Sequence, residues 1–239
     1  MQRRHLLQSS LAFAGLAAAS TPFARAAVSV PNLGKPVHDR KGYTNVAIVV
    51  GPETVAIDAI GPHTTFLSSS MFVDVASGHG FNVYTVAETT KPYDAGGVAL
   101  VANYAFKDAP EPHVLVVPQQ KHLDSTLDYI KAKGAKADVT MSVCTGAFLV
   151  AETGLFGNGR ATTHHSGYER FAQRFPQVTL VRDVRYVEDP SVSSSGGESC
   201  GIDLSLRVVE RYFGLDVADK VAYSMEYRRT PRPTSAKDV

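Results

Sequence analysis

Short continuous apolar runs recur along the chain, each closed by a turn residue. That pattern predicts strands buried on both faces rather than a half-exposed sheet. The first is Asn45-Val46-Ala47-Ile48-Val49-Val50, ended by Gly51-Pro52. Residues 81–86, 98–101, 114–117 and 139–143 repeat the theme, and Pro118 ends the fourth run. Helical spacing fills the intervals. Leu123, Leu127 and Ile130 share one face of residues 121–133, with Gly134 placed to cap the end. Residues 57–70 contain a Gly61-Pro62 step suited to opening a helix. Further helices are predicted after Cys144, over 167–175 up to Pro176, and over 202–213. Residues 178–181 and 185–187 are expected to pair as a hairpin, and 192–195 to lead through Gly196-Gly197 into the last helix. Strands alternating with helices predict an α/β fold with a mostly parallel, doubly wound sheet.

The N-terminus is of a different kind. Arg3-Arg4-His5-Leu6-Leu7-Gln8 precedes an alanine-rich apolar run, and Ala24-Arg25-Ala26 supplies small residues for cleavage. Paired arginines before a short apolar core resemble a twin-arginine export signal over residues 1–26. The expected organisation is then an arm over 27–43, one domain over 44–227, and a basic, proline-rich, loosely held tail over 228–239. The protein is expected in the periplasm or outside the cell. With 24 basic and 23 acidic residues the net charge is only +1, which excludes an electrostatic footprint for nucleic acid or an anionic membrane. Two cysteines, Cys144 and Cys200, permit a disulfide after export but form no disulfide framework. The histidines show no metal-ligand spacing, so no metal site is expected.

In open α/β sheets, ligands gather beyond the carboxyl ends of the strands. Three such ends carry chemistry: the region of Asp58, Pro118-Gln119-Gln120, and Cys144. Ser142-Val143-Cys144-Thr145-Gly146 sets a cysteine between a buried strand and a helix, the thiol counterpart of a nucleophile elbow. The helix start is expected to favour thiolate and lower the pKa of Cys144. Asp58 reads either as a desolvated acid with a raised pKa or as an N-cap. His164, beside His165, reads as a substrate contact or as a strand-end histidine held by backbone.

The segments around these residues carry a resemblance. Ser142-Val143-Cys144-Thr145-Gly146-Ala147-Phe148-Leu149 resembles the cysteine segment of ThiJ/PfpI proteins, a class I glutamine amidotransferase-like superfamily. Ile57-Asp58-Ala59-Ile60-Gly61-Pro62, Arg160-Ala161-Thr162-Thr163-His164 and Ser194-Ser195-Gly196-Gly197 with Gly201-Ile202-Asp203-Leu204 resemble its isonitrile hydratase branch. The resemblance implies a flavodoxin-like sandwich, usually a homodimer, and a cofactor-independent reaction on a small molecule. Water would add to an isonitrile to give an N-substituted formamide. Cys144 would act as nucleophile or its activator, Asp58 as proton shuttle, and Thr145 through its hydroxyl and N–H. Gln119, Gln120, His164 and Gly61 would contact substrate. Thr145 stands where other branches have histidine, which argues against the α-oxoaldehyde hydratase or deglycase reading. A non-catalytic ligand-binding protein of the same fold is the other alternative. Gln119-Gln120 stand where the family usually has glycines, and Cys200 where small residues are usual; both point to a different substrate from simple isonitriles.

Overall fold

The structure, a computed structural model, describes residues 42–189 and 192–229. The expected export signal, all but the last two residues of the expected arm, and the tail from 230 onward lie outside the described residues.

A seven-stranded sheet forms the centre. Its strands are β1 (Thr44–Val49), β2 (Phe81–Ala87), β5 (Tyr104–Ala105), β6 (Val114–Val117), β7 (Val139–Ser142), β10 (Tyr186–Val187) and β11 (Val192–Ser195). They lie in the order β10-β11-β7-β6-β1-β2-β5, all parallel except the antiparallel edge strand β10. Two small ribbons complete the strands: β3 (Tyr93–Asp94) pairs antiparallel with β4 (Ala99–Leu100), and β8 (Arg160–Ala161) pairs parallel with β9 (Thr179–Leu180).

The unbroken apolar runs are explained by cores on both faces. Val46, Ile48 and Val50 face one core with Phe66, Leu204 and Leu206; Ala47 and Val49 face the other with Ile130, Val150 and Phe171. The first core is roofed by α1 (Ala56–Ser69), α5 (Cys200–Phe213) and α6 (Leu215–Ser224). The second is roofed by α2 (Asp124–Gly134), α3 (Gly146–Glu152) and α4 (Tyr168–Arg174). No helix among the described residues is long and apolar enough to cross a membrane.

Several expectations are corrected. Pro62 does not open α1 but lies inside it. Proline has no N–H, so the Asp58 carbonyl loses its i+4 donor, and tertiary packing carries the helix through. Gly134 ends α2 in ordinary helical geometry, the cap being Ala135. Glycine is needed there for packing, since a Cβ would stand 2.7 Å from Leu155 Cδ1. Residues 178–181 and 185–187 form no hairpin: β9 joins β8, and β10 joins β11. Helix α6 was not anticipated. The chain just beyond Tyr227 is also held, because Arg229 pairs with Glu210 and, at 3.0 Å, with Asp219.

Candidate active site

Chain order and strand order diverge at β1, whose neighbours are β2 on one side and β6 on the other. A crevice opens beyond the strand ends at such a switch point. Four segments enter it: the start of α1 after β1, Pro118-Gln119 after β6, Cys144 after β7, and Gly196-Gly197-Glu198 after β11.

Cys144 is the elbow the sequence suggested. Its φ of 60° is left-handed, which is strained for a residue with a side chain. Neighbouring bonds hold it there. Its N–H donates to Gly196 O at 3.0 Å, and Thr163 Oγ1 donates to its carbonyl at 2.9 Å. Gly146 makes the turn possible, because a Cβ there would lie 2.2 Å from Val117 O and 2.8 Å from Pro118 C. Glu53 (φ 61°) and Glu198 (φ 50°) add two more left-handed, non-glycine residues around the crevice. Strain gathered in one place, each instance worth about 1–3 kcal/mol, marks a site that the surrounding fold must enforce.

Asp58 lies in the first turn of α1 and is completely buried. It is not the N-cap; Val55 holds that position. Gln119 N–H donates to Asp58 Oδ2 at 3.3 Å, while Oδ1 has no hydrogen-bond partner. Burial is the main cause that raises its pKa from 3.8 to about 6, with the charge of Glu198 adding to it; the Gln119 N–H, the Cys144 thiol and the Glu198 N–H pull the other way. The raised pKa expected of Asp58 is therefore found.

The lowered pKa expected of Cys144 is overturned. Burial first, and the Asp58 charge second, push the thiol from 9.0 to about 12, against the N–H groups of Thr145 and Glu198. Helix α3 has only seven residues, and its dipole end does not outweigh a buried carboxylate. At neutral pH the proton belongs to sulfur and the carboxyl is largely ionised. The pair is a thiol beside a carboxylate, with one proton to move.

Thr145 is the N-cap of α3, and its hydroxyl caps nothing. Its methyl group faces Gly167, where a Cβ would sit 3.6 Å away. The His164 ring packs closely on Gly197, where a Cβ would come within 2.0 Å of Cδ2. Ser166 N–H donates to His164 Nδ1 at 3.2 Å, so in the neutral ring the proton resides on Nε2. Gln119 contributes its backbone, and its side chain reaches Glu53 O at 3.4 Å.

Gln120 and Gly61 are engaged elsewhere. The Gln120 amide is buried, donates to Val49 O at 3.1 Å, and packs on Gly51. It does not crowd the substrate wall. Gly61 lets α1 approach α5, since a Cβ there would meet Ile202 Cγ1 at 3.1 Å. Glu198 was missed by the sequence reading; a charged residue wedged between a glycine pair and a helix start was the available signal. Cys144 and Cys200 are not joined in a disulfide, and no group of three or more metal-ligating side chains occurs among the described residues.

No family profile matches the chain. It is 28% identical over 193 residues to the isonitrile hydratase of Pseudomonas putida, covering 78% of this chain and 79% of that one. A ThiJ/PfpI family protein from Pseudomonas syringae superposes with a TM-score of 0.69 at 24% identity, over 92% of this chain and 87% of the other. Drosophila melanogaster DJ-1beta superposes with a TM-score of 0.65 at 12% identity, over 78% of this chain and 99% of its own. The chain has the fold of these ThiJ/PfpI and DJ-1 proteins and is similar in sequence to an isonitrile hydratase.

Proposed function

We propose that this protein hydrates an isonitrile to an N-substituted formamide, with Cys144 as nucleophile and Asp58 as proton carrier. The observation that carries the reading is the buried thiol–carboxylate pair with one mobile proton. An isonitrile carbon requires a proton and a nucleophile at the same atom, and this pair holds both.

Asp58 takes the thiol proton and passes it to the isonitrile carbon, and sulfur bonds to that carbon, giving a thioimidate. Water then attacks the carbon while Asp58 moves one of its protons to nitrogen. The C–S bond breaks, the second water proton returns to sulfur, and the formamide leaves. The N–H groups of Thr145 and Glu198 face the sulfur while it carries charge. The uncommitted Thr145 hydroxyl holds the water, and Gln119 N–H keeps the Asp58 carboxylate aimed. In the same proposal the protein works without a cofactor, as a homodimer, in the periplasm or outside the cell.

The test is incubation of the purified mature chain with alkyl and aryl isonitriles and, separately, with α-oxoaldehydes. Formamide appearing in proportion to enzyme supports the proposal. Hydroxy acid from the oxoaldehydes with no formamide would replace it with the hydratase or deglycase reading.

A further inference from the structure

The reaction above uses the N–H of Glu198 and leaves its carboxylate without a task. Gly196-Gly197-Glu198-Ser199 joins β11 to α5 directly over the thiol, since Gly196 O receives the Cys144 N–H. The left-handed φ of Glu198 is one that glycine adopts freely and glutamate does not.

The turn is pinned on both sides. Behind it, Arg185 Nη2 donates to Ser199 Oγ at 3.2 Å and to the Tyr227 hydroxyl at 2.9 Å, and Arg185 Nε pairs with Asp203. The Tyr227 hydroxyl donates in turn to Asp203 Oδ2 at 3.0 Å, and Gly196 N–H to Arg185 O at 2.9 Å. On the cleft side the His164 ring blocks Gly197. The backbone of the turn that carries Glu198 is thus fixed beside the thiol.

Its carboxylate is exposed and forms no ion pair among the described residues. The cation behind the turn, Arg185, is committed to Asp203. Close by, the fully buried Asp58 keeps Oδ1 without a hydrogen-bond partner, and the Glu198 charge acts on this carboxyl. Two acidic groups therefore face the crevice without a counter-charge.

We propose that Glu198 selects the substrate by charge: the site takes an isonitrile whose substituent bears a cationic amine and disfavours an anionic one. The isonitrile part rests on the hydratase reading; the charge preference rests on the mouth alone. A positive substituent beside Glu198 also offsets the negative charge that opposes loss of the thiol proton, so the correct substrate assists its own reaction.

Two methanethiosulfonate reagents test this without turnover, one ending in trimethylammonium and one in sulfonate. With either, Cys144 loses its proton to solvent, its sulfur bonds the reagent's sulfenyl sulfur, and methanesulfinate leaves. The ratio of the two rates, normalised to free cysteine, reads the potential at the sulfur. Peptide mass spectrometry separates Cys144 from Cys200. The cationic reagent is expected to be favoured by about tenfold or more at low salt, falling as salt rises. Glu198→Gln should cut that preference by about tenfold with an unchanged melting curve. An unchanged ratio in Glu198→Gln, or a faster sulfonate reagent, overturns the proposal. A second arm compares kcat/KM for an ammonium-bearing isonitrile and its neutral isostere. Preference for the former, lost in Glu198→Gln, supports charge selection, and equal rates in the unmodified protein overturn it. If neither isonitrile is hydrated while the reagent ratio moves, the hydratase reading falls and charge selection stands.

Discussion

Replacing Asp58 with asparagine should move thiol reactivity and turnover in opposite directions. Asparagine keeps the size of the side chain and an oxygen for the Gln119 N–H, and removes the charge. The Asp58 charge is the second cause, after burial, that pushes Cys144 from 9.0 to about 12. A unit charge at hydrogen-bond range, about 4 Å, through an effective dielectric of ~30–60 is worth roughly 1.4–2.8 kcal/mol. Removing it lowers the thiol pKa by about one to two, since 1.36 kcal/mol corresponds to one pKa unit. Burial persists, so the thiol stays above its ordinary value. At pH 8, alkylation of Cys144 by iodoacetamide should therefore accelerate roughly 10- to 100-fold in the variant. Formamide production should fall by about 10²–10⁴-fold, because no group remains to carry the proton from sulfur to carbon. Alkylation followed over pH 7–10 by mass spectrometry, beside a turnover assay, reads both. Slower alkylation in the variant would mean that Asp58 activates the thiol instead of holding its proton. Turnover within a few-fold of the unmodified enzyme would refute Asp58 as proton carrier.

Other outcomes follow from the same geometry. Because the folded-state pKa of Asp58 is raised from 3.8 to about 6, the folded chain binds more protons than the unfolded chain between those values, so stability falls as pH rises through that window. Asp58→Asn should relieve this cost, on the order of 2–3 kcal/mol, and melt several degrees higher at pH 7.5 but not at pH 3.5; equal melting temperatures at pH 7.5 would contradict the burial account. Gly146→Ala places a Cβ 2.2 Å from a backbone oxygen that cannot yield; destabilisation by about 3 kcal/mol or more in urea unfolding is expected, and a near-neutral result would show that the elbow is not tight. Replacing Arg3 and Arg4 by lysine should leave full-length precursor in the cytoplasm on cell fractionation, and normal periplasmic accumulation would dismiss the twin-arginine assignment.

The parallel sheet was legible in the sequence because strands buried on both faces need unbroken apolar runs, and Val46 to Val50 or Val114 to Val117 have no solvent-facing alternative. The elbow was legible because a cysteine between such a run and a glycine two residues on has few backbone solutions. Local pattern did not decide pairing: β9 turned to β8 rather than to β10, since two-residue strands take whatever edge the packed helices leave open. Nor did it decide charge. The start of α3 argued for a thiolate, yet Asp58, 86 residues earlier in the chain, arrives at the same buried point and holds the proton on sulfur. The sequence alone determined that Cys144 and Asp58 follow buried strands of a parallel sheet. Only the tertiary structure decided which neighbours they meet and whether they ionise, because desolvation and the field of a charge depend on distance in space and not on separation along the chain.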